Sequence, residues 1–99
     1  MLSEENSKKE LVLSGEEAVK VADALTATTM RMLMLLSKES LDVSTIGKKL
    51  GLSQAYISEQ VKLLEHLKLL DVEYARGKRG IRKICSARVD SVTLLVKEQ

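Results

Sequence analysis

The sequence contains no proline, tryptophan or phenylalanine, and tyrosine occurs only twice. The lack of large aromatic residues predicts a core of aliphatic side chains and methionine. The single cysteine, Cys85, excludes an internal disulfide framework and is typical of proteins in a reducing compartment. The single histidine, His66, has no partner at a metal-ligand spacing. We therefore expect no bound metal and no cofactor.

Long apolar runs are also missing. No stretch reaches the roughly 18 apolar residues that a membrane span requires. The opening segment MLSEENSKKE lacks the apolar core of a signal peptide. We therefore expect a cytoplasmic protein that does not associate with membranes. The length of 99 residues suits one domain, with residues 1–9 as a flexible segment and residues 10–99 as the folded unit.

Catalytic motifs are absent too. No Ser/His/Asp arrangement stands out, and RGKRG lacks the spacing of a phosphate-binding P-loop. Cys85 is better explained as a small strand residue than as a redox sensor, because a reactive thiol needs a lowered pKa. Its basic neighbours Arg82 and Lys83 are the argument for the second interpretation. We expect that the protein is not an enzyme.

The first half of the chain predicts a short strand and two helices. ELVLS (10–14) suits a strand, and Ser14 with Glu17 has the spacing of a capping box that starts a helix. TATT (26–29) predicts a break, because threonine competes for backbone hydrogen bonds. The next helix is apolar, and its methionines indicate an irregular core rather than a ligand groove. Its expected inward side chains are Met30, Leu33, Met34 and Leu36.

Residues 44–69 predict a helix-turn-helix. Ser44 is positioned to cap a short helix, which Gly51 closes in a left-handed conformation. Ser53 then caps a longer helix over residues 54–69. Gly47 would let the two helices approach closely. The expected buried stripe of the second helix is Ile57, Val61, Leu64 and Leu67.

The last third changes to strand-like residues. DVEYA and IRKICSA flank the turn RGKRG, which predicts a β-hairpin over residues 71–87. A further strand is expected at 91–97. A hairpin that follows a helix-turn-helix is a wing. The predicted fold class is therefore α+β, mainly α: a winged helix-turn-helix with a β-hairpin wing.

Charge is distributed unevenly along the chain. There are 16 basic and 14 acidic residues overall, but residues 74–88 contain six cations and no acid. Release of counterions from DNA phosphates rewards such a cluster, and a major groove admits one α-helix. The expected base-reading residues are Gln54, Ala55, Tyr56, Ser58 and Glu59. The expected backbone contacts are Ser44, Lys48, Lys49, Gln60, Lys62, Arg76, Lys78, Arg79, Arg82, Lys83 and Arg88.

These segments resemble the prokaryotic ArsR-type regulators. VADALTATTMRMLMLL is similar to the helix pair that opens those proteins, usually written A-L-x-x-x-T-R-x-x-I-L-x-L-L. The pattern L-S-Q-x-x-[VI]-S of their recognition helix is matched by Leu52, Ser53, Gln54, Ile57 and Ser58. The resemblance covers residues 18–88. It implies a homodimer that binds double-stranded DNA and represses by occupying a near-palindromic operator.

The sequence also departs from that family. The short helix STIGKKLGL has no Cys or His, so the cysteine pair of metal-sensing members is missing. The tail predicts a strand where the family has a dimerising helix. Pairing of ELVLS with SVTLLV, within or between chains, could replace that helix. An alternative function also fits the fold: a winged-helix adaptor that binds proteins in a larger nucleic-acid-processing complex.

Overall fold

The computed structural model describes residues 9–78 and 80–97, which form four helices and five strands. The elements, in chain order, are β1 (Glu10–Leu13), α1 (Gly15–Ala24), α2 (Ala27–Leu36), β2 (Leu41–Asp42), α3 (Val43–Leu50), α4 (Gln54–His66), β3 (Leu70–Gly77), β4 (Gly80–Ala87) and β5 (Ser91–Leu94). This is the α+β, mainly α winged helix-turn-helix that the sequence predicts. Among the described residues, no helix is long and apolar enough to cross a membrane.

One aliphatic core joins the helices to the hairpin. It is built from buried side chains of every helix, the start of β3 and the middle of β4, as the lack of Phe and Trp predicts. The stripe of α4 is confirmed for Ile57, Val61 and Leu64, which are fully buried, whereas Leu67 is only partly buried. Apolar residues spaced along one face thus fix which side of α4 turns away from solvent.

The strands form two separate sheets. β2, β4 and β3 make an antiparallel sheet in which the hairpin β3–β4 pairs from Leu70↔Ala87 to Gly77↔Gly80. β1 and β5 pair in parallel, with Glu10 opposite Ser91. The expected pairing of the two terminal segments therefore forms within the chain. Both β1 and β5 are shorter than the predicted strands, and β5 ends at Leu94.

The entry into the two first helices differs from the prediction in two respects. Ser14 is the N-cap of α1, but its side chain makes no capping hydrogen bond, so the capping box with Glu17 is wrong. The break is confirmed, but it lies at the start of TATT. Thr26 caps α2 and exchanges hydrogen bonds with Thr29 in a capping box of its own. Threonine thus serves here as a cap rather than as a longer interruption.

The orientation of α2 corrects the assignment of its methionines. Met32, Leu33 and Leu36 are buried, whereas Met30 and Met34 are 42% and 59% exposed. A helix that is apolar on all sides gives no periodic signal to choose its inner face, so packing against the rest of the fold decides. Met30 and Met34 line a shallow apolar cleft of about 200 Å³ instead.

The turn between α3 and α4 depends on two glycines. Gly51 has φ 70° at the end of α3, the left-handed conformation that its position predicts. Leu52 N donates to Gly47 O at 2.9 Å, which folds the turn back on α3. A Cβ at Gly47 would lie 2.8 Å from Leu52 O. The close approach expected of Gly47 is therefore to the turn, whose carbonyl occupies the space of a side chain.

The recognition helix α4 ends earlier than the sequence predicts. It stops at His66 rather than at residue 69, because Lys68 turns into the left-handed region with φ 67°. Lys68 N donates to Glu65 O at 3.0 Å and Leu69 N donates to Leu64 O at 2.9 Å. This pattern is a Schellman motif, in which a glycine is usual at the left-handed position. Leu69 then enters the core at the start of the wing.

Candidate nucleic-acid interface

The N-terminal half of α4 presents the expected base-reading residues. Ser53 caps the helix, as predicted, with its Oγ accepting from Tyr56 N at 3.1 Å. With the inner face of α4 anchored in the core, its outer face is left to solvent. Gln54, Ala55, Tyr56 and Glu59 are exposed there, whereas Ser58 is half-buried. The exposed face is polar and small at its start, which suits contact with base edges in a groove.

Helix α3 lies before this helix and begins one residue earlier than predicted. Its N-cap is Asp42, whose Oδ1 accepts from Thr45 N at 2.8 Å, so the assignment of the cap to Ser44 is wrong. Ser44 lies in the first turn and is half-buried. Lys48 and Lys49 are exposed in the last turn, where cations also favour the negative end of the helix dipole.

The wing extends the basic surface away from the helices. Arg76 and Lys78 are exposed on the hairpin, and Lys83 is half-buried. Arg79 lies outside the described residues. On α4, Lys62 is exposed and Gln60 is half-buried.

One wing cation is already paired within the protein. Arg82 Nε and Nη2 donate to Asp42 Oδ2 at 3.2 and 2.8 Å. The Arg82 side chain is 57% exposed, whereas that of Asp42 is 18% exposed. Hydrogen bonds from Thr45 and then from Arg82 lower the pKa of Asp42 to about 2, so the carboxylate is charged at neutral pH. Arg82 thus has a protein partner at the position where the sequence predicts only a phosphate contact.

A polar cleft of about 280 Å³ joins the recognition helix to the wing. Helix α3 contributes Ser44, helix α4 contributes Gln54 and Ser58, and strand β4 contributes Arg82 and Lys83. The structure therefore brings five of the predicted site residues together, although they come from three elements. Its open side is wide enough for a phosphate group, and its walls supply hydroxyl, amide and cationic donors.

Arg88 lies elsewhere. It lines a groove at the base of the wing with Glu65, Asp71 and Glu73, and its Nε is 3.9 Å from Asp71 Oδ1. Three carboxylates beside one guanidinium make this surface unfavourable for a polyanion. Among its predicted partners, Arg88 is thus the one that the fold separates from the cleft.

Sequence reasoning missed two residues of this surface. Asp42 is both the cap of α3 and the partner of Arg82, and Ile81 is an exposed apolar residue on the cleft wall. A signal for Asp42 existed, because aspartate is among the preferred N-cap residues and Thr45 follows three positions later. No sequence signal connects Asp42 with Arg82, which lies forty residues further along the chain.

The cysteine and the candidate metal ligands lie apart from this surface. Cys85 is fully buried, and burial raises the pKa of its thiol to about 11. This environment suits the interpretation of Cys85 as a small core residue. Within residues 9–78 and 80–97, no three His, Cys, Asp or Glu side chains come together as a metal site.

Comparison with known proteins identifies the class. No family model and no curated protein matches the sequence, but solved structures do. The DNA-binding domain of Mb0332 from Mycobacterium bovis matches with a TM-score of 0.63 at 19% identity, over 74% of this chain and 65% of that one. That domain is described as a homodimeric winged helix-turn-helix and a possible ArsR-family transcriptional regulator, and the chain spans just under two thirds of its length.

Two further structures agree. Reduced HlyU from Vibrio cholerae N16961 has a TM-score of 0.63 at 18% identity, with 76% of each chain covered. NolR from Sinorhizobium fredii has a TM-score of 0.62 at 26% identity, over 76% of this chain and 72% of that one. The protein therefore has the winged helix-turn-helix fold. Within that fold its structure resembles the ArsR-type regulators, as the sequence motifs predict.

Proposed function

We propose that the protein is a DNA-binding transcriptional regulator, a homodimeric repressor that reads a near-palindromic operator with α4 and holds the DNA backbone with its wing. The observation that carries this proposal is the cleft between α4 and β4. It places Gln54 and Ser58, at the start of the recognition helix, beside the cationic strand of the wing. A duplex whose major groove receives α4 would present one phosphate strand to this side.

The remaining surface supports a non-enzymatic role. The side chains of the cleft are hydroxyls, an amide and permanent cations, with no nucleophile held beside a general base. The exposed lysines of α3 and the wing add positive charge around it, and the structural neighbours include a described DNA-binding domain. A repressor needs no more than tight and selective binding, which such a surface can supply.

The dimer part of the proposal follows from geometry. One domain offers one recognition helix, and a second copy doubles the phosphate contacts. The terminal segments and α1 still expose Val12, Val19 and Val96, which a second copy could cover. Two recognition helices would then lie about 34 Å apart, one turn of DNA. Sedimentation that shows only a monomer at micromolar concentration, with and without DNA, contradicts the dimer.

A salt titration tests the DNA contacts. The operator is first selected from random duplexes, and affinity is then measured on it and on a random duplex. If Lys78 contacts a phosphate, Lys78→Ala weakens both complexes alike and reduces the slope of log affinity against log salt by roughly 0.9. Lys20→Ala on α1 is the matched control, because it removes the same charge from an exposed site that does not line the cleft.

The recognition helix has a different expected signature. If Gln54 reads a base, Gln54→Ala weakens operator binding by about 1–3 kcal/mol and leaves random duplex and salt slope nearly unchanged. If the wild-type protein binds no duplex, or if Lys78→Ala and Gln54→Ala both change nothing, the DNA proposal is wrong. The protein-binding adaptor would then replace it.

A further inference from the structure

The contact between Asp42 and Arg82 joins the wing to the start of the helix-turn-helix. Both Arg82 donors converge on Oδ2 of Asp42, while Oδ1 accepts from Thr45 N. Each carboxylate oxygen therefore has a partner, one on the wing and one on α3. Among residues 9–78 and 80–97, no other side-chain hydrogen bond connects the hairpin with α3 or α4.

The position of this contact along β4 gives it leverage. β2 is only two residues long and pairs Leu41 with Cys85 and Asp42 with Ile84. The part of β4 before Ile84 therefore extends beyond β2 and is paired with β3 alone. A two-stranded ribbon without a third strand twists and bends easily. Arg82 lies in this extension, two residues after Gly80, and ties it back to the helices.

We propose that the Asp42–Arg82 pair positions the wing relative to the recognition helix, and that Arg82 is a positioning residue rather than a phosphate contact. The proposal rests on the DNA-binding function proposed above and deepens it. A guanidinium that is neutralised by a protein carboxylate releases no counterion from DNA unless it leaves that partner. The free cations further along the wing would make the backbone contacts, and the pair would set where they lie.

Asp42→Asn separates the two roles by the sign of its effect. Asparagine keeps the cap of α3, because its side-chain oxygen also accepts from the backbone N–H of Thr45. It removes one negative charge beside the DNA and frees Arg82. If Arg82 is a phosphate contact that Asp42 restrains, Asp42→Asn strengthens DNA binding. If the pair positions the wing, Asp42→Asn weakens binding despite its more favourable charge.

The expected result is a two- to fivefold weakening on the operator, roughly the range that an exposed ion pair supports. Arg82→Ala weakens binding to a similar extent, and the double variant adds little, because each change removes the same contact. Asp71→Asn is the matched control. It removes the same charge from a carboxylate that also lies beside an arginine, but at the base of the wing. It is expected to leave binding unchanged or to strengthen it.

Three results on DNA overturn the proposal while leaving the proposed function intact. They are a stronger complex with Asp42→Asn, additive effects of the two changes, and a loss of about 0.9 in the salt slope with Arg82→Ala alone at unchanged Lys78 dependence. In the positioning model the effect of Lys78→Ala becomes smaller when Arg82 is absent, because the displaced wing no longer presents Lys78 to the backbone.

A measurement without DNA keeps the test independent of the function. Spin labels at Lys62→Cys and Lys78→Cys report the distance between α4 and the wing, and the buried Cys85 stays unlabelled. The distance distribution is expected to broaden with Asp42→Asn and with Arg82→Ala but not with Asp71→Asn. An unchanged width overturns the proposal. If the wild-type protein binds no duplex, the function fails and this width alone decides the positioning role.

Discussion

Replacing Gly47 by alanine tests whether the turn of the helix-turn-helix is as tight as the structure shows. The added methyl group would lie 2.8 Å from the backbone oxygen of Leu52. Leu52 cannot simply move away, because its N–H donates to Gly47 O at 2.9 Å. Relief of the clash therefore requires that α3 and the turn separate, which also weakens this hydrogen bond.

The magnitude follows from three opposing contributions. Alanine in a helix interior is favoured over glycine by about 1 kcal/mol. Overpacking against a backbone atom costs about 1–3 kcal/mol, and weakening one hydrogen bond costs about 1 kcal/mol. We expect a net loss of about 1–2 kcal/mol in the free energy of unfolding. For a domain of this size the melting temperature then falls by about 5–15 °C.

Thermal and urea unfolding followed by circular dichroism measure this change. Lys49→Ala is the matched control, because it places alanine on an exposed position of the same helix and is expected to stay within about 0.5 kcal/mol of the wild type. A Gly47→Ala protein that melts above the wild type would refute the reasoning. It would mean that helix propensity outweighs the contact and that the turn has room for a side chain.

Three other expected outcomes concern single residues. Lys68→Gly should stabilise the protein by about 0.5–1 kcal/mol, because it relieves the left-handed strain at the end of α4, whereas Lys68→Ala should change little; chemical denaturation distinguishes them. Asp42 has its pKa lowered to about 2 from the ordinary 3.8, so its charge stabilises the fold above about pH 4 and this contribution is lost as the pH falls towards 2. The stability difference between wild type and Asp42→Asn should therefore shrink over that range, and a constant difference in acid titrations contradicts it. Cys85 should resist iodoacetamide at about pH 8 in the folded protein and react fully in denaturant; rapid labelling of the folded form contradicts its burial.

The parts of the fold that the sequence predicts correctly depend on local chemistry. Ser53 caps α4 and Gly51 ends α3 because cap hydrogen bonds and left-handed φ values are satisfied within a few residues. The buried stripe of α4 follows from spacing alone. The hairpin follows from two glycines that meet at Gly77↔Gly80.

The parts that the sequence does not predict depend on contacts distant in the chain. The inner face of α2 is decided by what packs against it, and so Met30 and Met34 were assigned to the wrong side. Asp42 and Arg82 come together only because β2 pairs with β4. The candidate site was therefore predictable as a set of exposed polar and basic residues. Which of its cations is already neutralised, and which one faces carboxylates, required the folded chain.

The parallel pairing of β1 with β5 also has a consequence for the order of events during synthesis. Residues that meet in this small sheet, such as Glu10 and Ser91, belong to opposite ends of the described chain. The helices from α1 to α4 can form from neighbouring residues as the ribosome advances, but β1 has no strand partner until Ser91–Leu94 has emerged. Throughout translation the apolar Leu11 and Leu13 thus lack the neighbours that partly bury them in the finished protein. Closure of this long loop is the step that a translational pause or a shortened chain would delay, with an unpaired strand exposed for as long as the delay lasts.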